Sequence, residues 1–218
     1  MTRRRTAILI SGRGSNMESL LKAAAAPGFP AEIVGVVSNR PEAAGIERAR
    51  SLGIHAEAID HRAFGGRAGF EAALDARLRD LGVELVCLAG FMRLLTAPFV
   101  EAWRDRAINI HPSLLPAFPG LDTHARALAE GVCFAGCTVH VLRPAMDSGP
   151  IIAQAAVPIL PGDDEASLSA RVLAAEHRLY PMALSLFASG AARVVGERVV
   201  FDAGVRFADG ATFGPQPA

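Results

Sequence analysis

Short, nearly unbroken apolar runs alternate with stretches of helical spacing through the first half of this chain, and that alternation narrows the fold more than any other feature. The runs are TAILI (6–10), EIVGVVS (32–38), IHAEAI (54–59), ELVCLAG (84–90) and AINI (107–110). A strand with one wet face alternates apolar and polar residues, whereas these are apolar on both faces, as in a parallel sheet covered on each side. Helical patterns fall between them. Residues 16–26 are rich in Leu and Ala. Residues 41–52 carry a proline in the first turn and Gly53 just past the end, and 69–81 place Phe70, Leu74, Leu78 and Leu81 on one face. Strand–helix alternation of this kind predicts an α/β fold with a single open, mostly parallel twisted sheet, right-handed crossovers and helices on both faces.

The second half changes character. Residues 133–142 (CFAGCTVHVL) and 149–159 (GPIIAQAAVPI) read as longer strands joined through RPAMDS. A long helix is expected over 164–189, with Leu168, Val172, Leu179, Met182 and Leu186 on its apolar face. Asp163 or Asp164 is placed to cap its start, and Pro181 should kink or break it. RVVGERVVF (193–201) resembles a closing β-hairpin and GATFGPQPA (210–218) a loose tail. With no repeat, low-complexity block or linker, the 218 residues are expected to form one domain, with a core over about 6–190 and a hairpin and tail over 191–218.

Composition sets outer limits. The chain is 51% hydrophobic, enough for a substantial core, and its 22 Lys+Arg balance 22 Asp+Glu. A net charge of zero gives no general attraction to nucleic acid or anionic membranes. No apolar run approaches the ~20 residues of a membrane helix. The N-terminal MTRRRTAILISGRGSN has too short an apolar core for a secretory peptide and reads as a first strand. Cys87, Cys133 and Cys137 suggest neither a disulfide framework nor a zinc site. These features predict a cytoplasmic protein with no metal, and they leave monomer and homodimer both open.

Three places carry chemistry. SGRGSN (11–16) stands where the first strand hands over to the first helix, and backbone N–H groups at a helix start can hold an anion. Met17 stands where a dinucleotide fingerprint needs its third glycine, the second strand ends in SNR without the ribose-binding acid, and Gly-Lys-Ser/Thr is absent. A phosphomonoester or another small anion fits better, although a tight turn with no ligand has the same glycines. At the end of the fifth run, Asn109 and His111 stand two apart and so share a strand face. Asn supplies an uncharged donor for a developing oxyanion and His an acid or base. Prolines 112, 116 and 119 would stiffen the loop behind them, although a structural His at a strand end is the plainer alternative. Third, Asp147 lies in the turn between the two long strands, where a carboxylate near His111 would favour the imidazolium, or where it is simply a turn residue.

NIHPSLLPAFPG (109–120), with LAGFMRLL upstream, GCTVH and MDSGPI downstream and SGRGSN at the start, resembles the phosphoribosylglycinamide formyltransferases, folate-dependent enzymes of purine synthesis. The similarity runs in order from about residue 8 to about 190. It implies a Rossmann-like formyltransferase fold and attack of the glycinamide amine on the formyl carbon of 10-formyltetrahydrofolate. Asn109 and His111 then match residues that stabilise the tetrahedral intermediate, and Asp147 the carboxylate that keeps the His protonated. Gly14, Ser15 and Asn16 match the substrate phosphate loop, and Glu176 (in EHRLYP) a contact to the substrate ribose. Arg67, the run Met92, Arg93, Leu94 and Leu95, Asn109, and the loop residues Pro144, Ala145, Met146, Asp147 and Ser148 match folate-side positions.

This sequence departs from the pattern at Arg13 in the glycine loop, at Ala117, Phe118 and Asp122, and in the less acidic 143–146. His124 and His140 could approach the site or be structural; His55, His61 and His177 lack metal-ligand spacing. Two alternatives to the transferase stand: a 10-formyltetrahydrofolate hydrolase, in which water replaces the amine, and a non-catalytic phosphosugar-binding module. Hydrolases of that kind carry a preceding regulatory domain, and a methionyl-tRNA formyltransferase a further C-terminal one. The layout expected here is neither. Retention of Asn109, His111 and Asp147 together argues against binding alone.

Overall fold

The computed structural model describes residues 2–207. Seven strands form one sheet in the order β3-β2-β1-β4-β5-β6-β7, and β8 and β9 form a separate two-stranded hairpin. The first five strands, β1 (Arg4–Ile10), β2 (Ala31–Ser38), β3 (Ala56–Ala58), β4 (Leu85–Leu88) and β5 (Ala107–His111), are parallel. Strands β6 (Phe134–Val141) and β7 (Ile151–Pro158) continue the sheet antiparallel. The first strand shows why the apolar runs are unbroken. Ile8 and Ile10 pack under helices α1 (Ser15–Ala24) and α6 (Glu165–Ser189), while Ala7 and Leu9 pack on the other face with α3 (Arg67–Asp80) and α4 (Ala97–Ala102). Successive side chains point to opposite faces, and both faces are dry.

Because β1 lies between β2 and β4, the connections run one way toward β3 and the other way toward β5. Ligands of open α/β sheets bind outside the carboxyl ends of the strands at such a reversal. The segments leaving β1 and β4 meet there: Ser11 N donates to the Gly90 carbonyl (3.1 Å), and the Met92 N–H donates to Ser11 Oγ (2.8 Å).

Several elements differ from the sequence expectation. Helix α6 runs unbroken through Pro181, with Asp164 as its cap in a capping box with Ser167. Met182 is 50% exposed, and the buried face instead includes Tyr180, Ala183, Leu184 and Phe187. Helix α2 (Ala44–Ser51) begins beyond Pro41, although Gly53 does follow its end in the left-handed region. The short helices α4 and α5 (Thr123–Ala129) were not foreseen. The hairpin pairs β8 (Ala192–Val195) with β9 (Arg198–Phe201), and the expected tail at 210–218 lies outside the described residues.

Candidate active site

The glycine loop follows β1. Gly14 adopts φ 77° and serves as N-cap of α1, so a left-handed residue turns the chain into the helix. Beneath it, the Gly45 N–H donates to the Gly12 carbonyl (3.1 Å), and a Cβ on Gly45 would lie 2.5 Å from Ile10 Cδ1 and 3.0 Å from that same carbonyl oxygen. Ser15 and Asn16 open the helix, leaving first-turn N–H groups at the loop. Arg13 is exposed between the two glycines. Asn16 Nδ2 donates to Glu176 Oε2 at 2.6 Å, joining α1 to α6. Glu176 is 6% exposed; burial pushes its carboxyl above the usual range and the Asn16 hydrogen bond opposes this.

The second half of the site is built on β5. His111 is its last residue, and its Nε2 donates to the Phe118 carbonyl at 3.0 Å. Its Nδ1 faces Asp147 Oδ2 at 3.4 Å. Asp147 Oδ1 lies 3.7 Å from His140 Nε2, and Asp147 Oδ2 accepts from the Gly120 N–H at 2.9 Å. Asn109 Nδ2 lies 3.3 Å from His140 Nε2. The structure therefore brings Asn109, His111 and Asp147 into one cluster and places His140 between Asn109 and Asp147. Asn109 and His140 are directly opposed across the antiparallel β5–β6 pair. His140 Nδ1 donates to the Val141 carbonyl at 3.1 Å, which leaves Nε2 as the acceptor for the Asn109 amide. Burial holds the His140 pKa below its ordinary value despite Val141 and Asp147, so the neutral ring suits that role.

The proline segment behind His111 is a brace. Ser113 Oγ donates to the Ala117 carbonyl (2.6 Å), Leu115 N donates to Thr138 Oγ1 (3.0 Å), Thr138 Oγ1 donates to the Ser113 carbonyl (2.7 Å) and Gln154 Nε2 to the Leu115 carbonyl (2.8 Å). Phe118 is held at φ 52°, an uncommon conformation for an aromatic residue, and Asp147 at φ 50°. In that shape the Phe118 carbonyl reaches His111 while Gly120 reaches Asp147. One rigid segment thus fixes both partners. His124 lines a cavity of ≈ 120 Å³ with Phe118 and Thr123; burial lowers its pKa, and His111 adds to the lowering.

The positions expected on the folate side divide. Met92, Leu94 and Met146 are 68%, 58% and 54% exposed, which a core role for Leu94 does not explain. Leu95 packs on the core, and the Arg93 guanidinium stands 5.5 Å from the Phe70 ring centre. Pro144, Ala145 and Ser148 are exposed around Asp147, and Met146 borders Gly120. Arg67 is exposed at the start of α3, and no hydrogen bond among the described residues ties it to the Asn–His–Asp cluster.

A mostly parallel open sheet with a glycine loop at its reversal point and an Asn–His–Asp cluster gathered at the end of β5 is the layout of an α/β group-transfer enzyme. The chain belongs to the formyl transferase family, whose sequence model its residues 4–184 match. It is 41% identical over 183 residues to the phosphoribosylglycinamide formyltransferase of Escherichia coli (strain K12), covering 84% of this chain and 86% of that one. It is 52% identical over 197 residues to the trifunctional purine biosynthetic protein adenosine-3 of Drosophila pseudoobscura pseudoobscura, covering 89% of this chain but 14% of that longer protein. Among solved structures, glycinamide ribonucleotide transformylase 1 from Symbiobacterium toebii superposes with a TM-score of 0.89 at 48% identity, covering 91% of this chain and 94% of that one.

Proposed function

We propose that this chain transfers the formyl group of 10-formyltetrahydrofolate to the amine of N1-(5-phosphoribosyl)glycinamide, giving the formylglycinamide ribonucleotide of de novo purine synthesis. The observation that carries the reading is the convergence of Asn109, His111 and Asp147 beside the reversal point where the glycine loop ends. The substrate phosphate takes the N–H groups of Gly14, Ser15 and Asn16, and Glu176 takes a ribose hydroxyl. The pterin lies against the apolar rim of Met92, Leu94 and Met146, with Arg67, Arg93, Leu95, Pro144, Ala145 and Ser148 completing the folate side. Both substrates are water-soluble, and we place the reaction in the cytoplasm.

The chemistry follows from the donors. The amine nitrogen attacks the formyl carbon, and the carbonyl oxygen takes up negative charge in a tetrahedral intermediate. One Nδ2 hydrogen of Asn109 is engaged by His140, and the second is free to point at that oxygen. A donor already oriented this way costs no reorganisation as charge develops. His111, steadied by Phe118 and paired with Asp147, adds charge stabilisation. The incoming nitrogen must lose a proton and the departing folate N10 must gain one. The His111–Asp147 pair is placed to carry that proton, after which the C–N10 bond breaks.

Deformylation of a 10-formyl folate, followed by absorbance with and without the glycinamide ribonucleotide, tests the reading. Release that requires the ribonucleotide and yields formylated product is expected. Release without it indicates the hydrolase, and no release from folded protein would leave a phosphosugar-binding module.

A further inference from the structure

The loop that carries Asp147 is closed at its base by tight backbone contacts. Leu142 N donates to the Ala107 carbonyl and Val141 N to the Pro150 carbonyl, both at 2.8 Å. A Cβ on Gly149 would lie 1.7 Å from the Val141 carbonyl oxygen, so only glycine fits at the loop's return. Within this base sits Arg143, a departure noted in the sequence, whose side chain is 7% exposed. Its Nε donates to Glu197 Oε2 (2.7 Å), its Nη2 to Asp105 Oδ1 (2.8 Å) and its Nη1 to the Leu142 carbonyl (3.0 Å). Glu197 lies at the turn of the β8–β9 hairpin and also accepts from Arg104 Nη2 at 2.5 Å. Asp105 and Arg104 belong to the turn that leads into β5, the strand of Asn109 and His111.

We infer that Arg143 is a positioning residue for Asp147, and that the C-terminal hairpin, beyond the family-matched residues 4–184, braces the catalytic loop through Glu197. The guanidinium holds three separate segments together, and each orients one side of the site. The hairpin fixes the start of the Asp147 loop, the turn before β5 fixes the strand bearing Asn109 and His111, and Arg143 locks the two in one register. An Arg fork is suited to this because its donors diverge in a fixed plane. Asp147 then meets His111 Nδ1 without having to be selected from other loop conformations. The inference rests on Asp147 acting in the reaction.

The test compares steady-state kinetics of the wild-type chain, Arg143→Ala, Glu197→Gln, the double variant and Asp147→Asn, with thermal unfolding measured for each. Misplacing a reacting group by ~1 Å costs up to about 10²-fold, so Arg143→Ala should lower kcat by about 10- to 10²-fold while the ribonucleotide KM stays within about twofold. Glu197→Gln should lower kcat in the same direction by less, and adding it to Arg143→Ala should cost nothing further. An unchanged kcat in folded Arg143→Ala overturns the inference, as does a KM that rises as much as kcat falls. Should Arg143→Ala fail to fold, Glu197→Gln at the exposed turn decides alone, and unchanged kcat there overturns the brace. Turnover retained in Asp147→Asn overturns the role of Asp147 and the brace with it. Turnover lost in Asp147→Asn but kept in Arg143→Ala overturns the brace only.

Discussion

Asn109 and His111 were legible as a pair because a strand sets residues two apart on one face, and β5 indeed ends at His111. Asp147 was not. It stood as a candidate carboxylate with a plain turn residue as the alternative, and the resemblance gave it an expected role, since nothing in a turn aspartate announces a histidine 36 positions earlier in the chain. His140 was left open, and its role depends on the β5–β6 register that opposes it to Asn109. A sequence signal did exist, in the alternation of Thr138 and His140 on one face of β6, yet without the register it pointed nowhere. Asn109→Ala should reduce kcat by about 10²-fold or more through loss of the oxyanion donor. His140→Leu should reduce it by less, because the amide survives but loses its anchor; a loss equal to that of Asn109→Ala would make His140 more than an anchor. Glu176 supplies a pH test. Its folded pKa is raised by burial, so the folded state binds that proton more readily than the unfolded state. Its ionisation therefore costs stability, a cost absent below the ordinary value of 4.5, growing as pH rises through that value to the raised folded one, and constant above. Glu176→Gln keeps an acceptor for Asn16, so its thermal midpoint should gain on wild type as pH rises from the ordinary value of 4.5 to the raised folded one and then hold level, while ribonucleotide binding weakens. A gap that does not change with pH would contradict the burial argument.

Among the elements, the five parallel strands and the long helices were readable because dry sheets and amphipathic helices leave periodic signals. Helices α4 and α5, of 6 and 7 residues, are too short to show a period. Pro181 misled because proline does break isolated helices, whereas here the packing of Leu179, Tyr180, Ala183 and Leu184 carries the helix past it. The contact of α2 with the glycine loop was likewise invisible from local pattern, since it depends on Gly45 lying under the Gly12 carbonyl. Gly45→Ala should force helix and loop apart, with a stability loss of about 1–3 kcal/mol. The ribonucleotide KM should rise with little change in kcat. A fall in kcat at unchanged KM would show that the loop does not serve the phosphate.

At the scale of the molecule, the sheet reverses its winding beside β1 and so brings the glycine loop next to the segment leaving β4. Alternation indicates a parallel sheet, but the reversal itself was not read from the sequence, because strand order depends on long-range pairing. The antiparallel addition of β6 and β7 brings Asp147 back over β5, and the hairpin beyond them meets the base of its loop. We propose the assignment of the chemical step to His111 and of phosphate binding to the glycine loop. It is tested most directly in His111→Asn, with formyl transfer and calorimetric ribonucleotide binding measured on the same protein. Loss of a positioned acid–base group should lower turnover by about 10²- to 10⁴-fold and leave the ribonucleotide Kd near the wild-type value. Equal losses in turnover and binding, or near-normal turnover from folded protein, would contradict it.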